Sequence, residues 1–159
     1  MNDATAMMDI DSLLDGTLDD LADMPEFKPF PIGAHRVTIN MEQKVVGEIP
    51  SIEVKITALE TVELTDPTAT PCMAGDSTNV LFMLFKKDDK SGKMIPNELG
   101  QGQFKNFMTS IAPSFPELKS NREIMEAAQG LEVLMSTGQR VDRKDKTKVY
   151  TFIESVNPI

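Results

Sequence analysis

The sequence predicts a mainly β domain with a helical insertion and a separate acidic arm at the N-terminus. Three observations carry that reading. Apolar and polar residues alternate on both sides of Gly47, as in strands with one buried face. The period becomes helical after Gly102. The excess negative charge lies almost wholly in residues 1–27, which hold eight acids and no Lys or Arg, leaving 17 acids and 16 bases for the rest.

The elements follow in order. In the arm, Ile10, Leu13, Leu14, Leu18 and Leu21 recur at helical spacing among acids, and Gly16 interrupts the run. So short a segment is marginal as a free helix, and residues 1–26 read as an arm that is disordered until it docks. "PEFKPFPIG", with three prolines, reads as an extended connector, and residues 27–159 as the domain. "HRVTINMEQKVVG" and "SIEVKITALETVELT" alternate and read as two strands joined at a turn near Gly47. "DPTATPCMAGDS" is a loop, "NVLFMLFKK" a third strand apolar on both faces, and "DDKSGKMIPNELG" a second long loop. Phe104, Phe107, Met108 and Ile111 fit a helix entered from Gly102 and stopped before Pro113. "SNREIMEAAQG" reads as a second helix, with Ser120 as N-cap and Gly130 at its end. "LEVLMST" and "KVYTFIESV" are the closing strands. This order suits a five-stranded OB-like barrel with the helices between strands 3 and 4; a mixed α+β sandwich of the same order is the competing architecture.

Composition narrows the function classes. The chain has 159 residues, 40% of them apolar and 26% charged, as in a globular domain. No apolar run is long enough to cross a membrane, the N-terminus has no signal-peptide pattern, and Cys72 is the one cysteine, so a cytoplasmic setting is expected. His35 has no cysteine partner nearby, so no metal site is expected. No phosphate-binding loop, dinucleotide fingerprint or nucleophile–base arrangement can be written, and neither catalysis nor a cofactor is expected.

What remains is "QRVDRKDKTKVYTF". Arg140, Arg143, Lys144, Lys146 and Lys148 run into Tyr150 and Phe152, against Asp142 and Asp145. With a strand pleat held from residue 146, Lys146, Lys148, Tyr150 and Phe152 share a face, and Val149, Thr151 and Ile153 point to the core. Cations and flat aromatic surface together are what single-stranded nucleic acid requires, phosphates taking the charge and unstacked bases the π-faces. Lys55, and Lys86 and Lys87 after the third strand, add candidate phosphate contacts. The plainer alternative is an aromatic pair in a second small core beside a polar hairpin tip.

"FKPFPIGAHRVTI", the hairpin after it, "GQGQFKNFMTSI" and the closing strand pair together resemble small bacteriophage single-stranded DNA-binding proteins of OB type, over residues 27–156. The resemblance implies sequence-independent binding of single-stranded DNA in phage replication or recombination, in the host cytoplasm, with self-association open. Such proteins usually carry an acidic C-terminal tail that recruits replication partners; here the chain ends "ESVNPI" and the acids are N-terminal. The alternative function is a protein-interaction module. It would bind a host or phage replication protein through Leu13, Leu14, Leu18, Leu21, Asp19 and Asp20 of the arm.

Overall fold

In the computed structural model, residues 14–15 and 29–159 are described. Strands β1 (Gly33–Val46), β2 (Ile49–Leu64) and β3 (Ser77–Met83) are followed by a small hairpin of β4 (Phe85–Lys87) and β5 (Met94–Pro96). Helices α1 (Glu98–Ile111) and α2 (Asn121–Ala127) come next, then β6 (Leu131–Val141) and β7 (Val149–Pro158). The main sheet is antiparallel and five-stranded, in the order β3-β2-β1-β6-β7.

Alternation built this sheet as expected. Val37, Ile39 and Met41 of β1 face the core with Val54, Ile56 and Ala58 of β2, their register partners or neighbours. Met135 of β6 pairs with Val156 of β7 on the same buried face. The β1–β2 turn has two residues, Gly47 and Glu48, both at positive φ (53° and 71°), the pattern whose twist matches paired strands.

Three expectations need correction. "NVLFMLFKK" is not one strand: it breaks at Leu84, and the loop after it contains β5. Pro50 explains the break. Its carbonyl accepts from the Leu84 N–H (3.3 Å), but it has no N–H to return, so the β2–β3 ladder ends at the pair Ser51–Met83. The Leu84 carbonyl instead accepts from the Asn97 N–H (3.0 Å) and the Gln101 side chain (2.8 Å), which anchors the start of α1. Second, α1 begins at Glu98, ahead of Gly102, because the Asn97 side chain caps it by accepting from the Gly100 N–H at 3.2 Å. Ser120 caps α2 as expected, accepting from the Glu123 N–H at 3.1 Å.

Third, the expected barrel is not closed. β3 and β7 are the two edges of the sheet and share no ladder. Helix α1 packs against both, with Phe107 on Phe82 (ring centroids 5.6 Å apart), and the two edges come close to each other without forming a ladder.

The proline-rich segment is more than a connector at its end. Phe30 is 2% exposed, and its backbone is held at both polar atoms. Its N–H donates to Thr151 Oγ1 (2.9 Å), and its carbonyl accepts from Gln139 Nε2 (2.8 Å). Beside it lies His35, fully buried, its ring edge-on to Phe30 at 5.5 Å. The partners assign the His35 tautomer. Thr61 Oγ1 accepts from the Cys72 N–H (2.8 Å), so its hydroxyl donates to Nδ1 (2.9 Å), and Nε2–H donates to the Pro31 carbonyl (2.8 Å). Burial lowers the pKa of His35, so the neutral ring is the stable form. The imidazole thus fastens residues 30–32 to β2 and β6, with Thr137 Oγ1 also donating to Pro31 (3.0 Å).

Candidate nucleic-acid interface

The gap between the sheet edges is a cleft of about 520 Å³. One wall is β3 from Asn79 to Phe82, the other is β7 from Tyr150 to Val156 together with Arg140 of β6, and α1 contributes Gln103, Asn106, Phe107 and Ser110. Side chains of a strand alternate between faces, so these unbroken runs mean that both strands turn their free backbone edges toward the cleft.

Of the cations and aromatics singled out in the sequence, Arg140, Tyr150 and Phe152 meet here. Arg140 is the register partner of Tyr150, and Gly138 of Phe152, so all four positions share one sheet face. Gly138 is needed for this: a Cβ there would run into the Phe152 ring, which lies across the strand at that point. The Arg140 guanidinium stands 5.6 Å from the Phe152 ring centroid, within cation–π range. Tyr150 is 51% exposed, and its hydroxyl donates to Asp142 Oδ2 at 3.2 Å. Thr151 points to the opposite face, where it holds Phe30.

β7 begins at Val149, so Lys146 and Lys148 are not on the strand face with Tyr150. With Arg143 and Lys144 they belong to the exposed loop that joins β6 to β7. The two acids of that loop serve its backbone. Asp142 Oδ1 accepts from the Lys144 N–H (2.9 Å), and Asp145 Oδ1 from the Thr147 N–H (3.0 Å). These bonds keep both carboxyls ionised below the usual aspartate range, the Thr147 hydroxyl being the largest cause at Asp145. Neither acid is in an ion pair with a loop cation, and no ion pair among the described residues involves residues 139–152.

The other candidates lie elsewhere. Lys55 is exposed on β2 and is not part of the cleft lining, although its register partner Asn79 is; Lys86 is exposed on β4, and Lys87 is paired with Glu48 (2.8 Å), the residue at positive φ in the β1–β2 turn. In the arm, Leu14 is 77% exposed on a helical segment; Leu13, Leu18, Leu21, Asp19 and Asp20 lie outside the described residues. Sequence reasoning missed Asn79, Gln103, Asn106, Ser110 and Glu154. For three of them a signal exists: 103, 106 and 110 form a polar stripe at helical spacing beside Phe104 and Phe107.

Among the described residues there is no group of three or more His, Cys, Asp or Glu that could hold a metal ion. None of their helices is long and apolar enough to cross a membrane. The cleft can offer stacking surface, one guanidinium, side-chain amides and strand-edge backbone, with a strip of cations beside it that have no ion pair among the described residues. No family model matches the chain, and no curated protein matches its sequence significantly.

Proposed function

We propose that this is a non-enzymatic single-stranded DNA-binding protein of phage replication or recombination, acting in the host cytoplasm. The domain is OB-like in this reading: a five-stranded barrel opened between β3 and β7, with the ligand in the opening. The observation that carries it is the convergence of Tyr150, Phe152 and Arg140 in the cleft lining, next to a loop whose four cations have no ion-pair partner among the described residues. Bases stack on the two rings, and Arg140, Arg143, Lys144, Lys146 and Lys148 hold the phosphates.

The test is anisotropy titration of a labelled single-stranded oligonucleotide and its duplex with the wild type and with Tyr150→Ala and Phe152→Ala. Single strands should bind in preference to duplex. Each substitution should cost roughly 1–3 kcal/mol of binding if bases stack there. A folded double variant with unchanged affinity contradicts the reading.

A second reading rests on Leu14, whose side chain stands exposed on a helical segment. There the arm binds a replication protein. Leu14→Asp with Leu18→Asp would abolish that contact and leave oligonucleotide affinity unchanged.

A further inference from the structure

Glu154 is the one acid in the lining of the cleft. It sits at the irregularity of the β6–β7 ladder: Thr137 pairs with Ile153 and Ser136 with Ser155, so Glu154 is the extra residue, at a kind of site that re-aims a side chain. It is exposed, and among the described residues it has no cation partner and no side-chain hydrogen bond. A carboxylate in this place opposes phosphate binding, so the phosphates must keep to the Arg140 side. Tyr150, the register partner of Arg140, is four residues from Glu154 on β7, about 14 Å at roughly 3.4 Å per residue, room for a nucleotide to lie between them. Helix α1, packed against β7 as well as β3, adds to the lining the side-chain amides of Gln103 and Asn106, for which no hydrogen bond is found among the described residues. The floor between is apolar: Val80, Phe82 and Phe107.

An apolar floor lined by a carboxylate and amides matches the edge of a nucleobase. Cytosine and adenine each place an amino donor beside a ring-nitrogen acceptor. The amino group suits the carboxylate, and the ring nitrogen suits an amide N–H. Thymine places the O4 carbonyl where the amino group would be, against the carboxylate. We propose that the cleft reads the base it holds, and that Glu154 makes it favour cytosine and adenine over thymine. The inference rests on the single-strand reading and adds a preference to it.

Oligo-dC, oligo-dT and an oligomer of deoxyribosyl pyrimidin-2-one, which is cytosine without its amino group, are titrated at equal length and salt at pH 7.5. Wild type should bind dC about tenfold more tightly than dT, the scale of one hydrogen bond to a charged group, with pyrimidin-2-one close to dT. Glu154→Gln, whose amide can donate or accept, should bind dC and dT alike. A matching melting temperature checks that the variant is folded. Equal binding of dC and dT by wild type, or a preference that persists in Glu154→Gln, overturns the base reading and leaves single-strand binding standing. No binding of any oligomer overturns both.

Discussion

The two long hairpins of the sheet use charge in opposite ways. On β1–β2, Arg36 and Lys44 are neutralised by carboxylates. Arg36 lies between Glu60 (3.5 Å) and Glu132 (3.4 Å), and Lys44 bonds Glu53 at 2.8 Å. In the β6–β7 loop both acids, Asp142 and Asp145, are spent on turn backbone, and the four cations have no ion-pair partner among the described residues. Glu53 shows the structural use most clearly. It is 6% exposed, and Oε2 accepts from both Lys44 and Asn79 (3.2 Å), tying β1, β2 and β3 together. Positive charge on a strand pair therefore says little about ligand binding until its carboxylate partners are known. Among the described residues the second hairpin gathers four unpaired cations in one loop, whereas the first leaves Lys55 alone unpaired.

Breaking the contrast at its stronger end should have the largest effect. Lys144→Glu, Lys146→Glu and Lys148→Glu together should lower single-strand affinity by roughly 100-fold at low salt and flatten the salt dependence. Because these side chains are exposed, the unfolding free energy should move by no more than about 0.5 kcal/mol. Glu53→Ala is the converse. It leaves Lys44 and Asn79 without their acceptor and should cost about 1–3 kcal/mol of stability in denaturant titration, with oligonucleotide affinity unchanged.

The pH dependence of stability should separate the two structural devices. His35 has a lowered pKa in the folded protein, so the unfolded chain binds the proton first. Its contribution is complete above about pH 6.5 and is lost as pH falls from there toward the lowered value. Glu53 has a carboxyl held below the usual range, first by the Lys44 hydrogen bond. Its contribution is present above the ordinary glutamate value and is lost as pH falls through the lowered one. Thermal melts from pH 8 to 3 should therefore show a decline from His35 and a more acidic one from the carboxyls, and Glu53→Gln should shrink the second without removing it, because Asp66, Asp88, Asp142 and Asp145 are also held below the usual range. The smallest effect belongs to Gly138→Ala. The new Cβ displaces the Phe152 ring, a partly exposed group that can swing outward, so stability should change little while single-strand affinity falls several-fold.

Much of the sheet was legible because alternation reports burial directly, as in Val37, Ile39 and Met41. The split of the third strand was not read, although Pro50 was in view. A missing N–H ends a ladder only where its strand has a partner on that side, and pairing is a tertiary fact. That β3 and β7 approach without pairing is a tertiary fact, which the alternation within each strand does not specify. At the site, Tyr150 and Phe152 were found from their strand spacing. Glu154 was not, because a ladder irregularity shifts the face of a residue with no mark in its own sequence. Cations alone did not locate the cleft: Lys55, Lys86 and Lys87 carry the same charge as Arg140 but do not line it.

Tyr150 offers the most direct measurement. The chain has one tyrosine and no tryptophan, so its intrinsic emission reports this single cleft residue. Titration with unlabelled single-stranded oligonucleotide should quench that emission saturably, with log K falling against log salt at a slope of roughly −3 for four to five phosphate contacts. Duplex of the same length should quench weakly. Emission that stays constant while single strands bind would place the ligand away from the β3–β7 cleft and contradict the account.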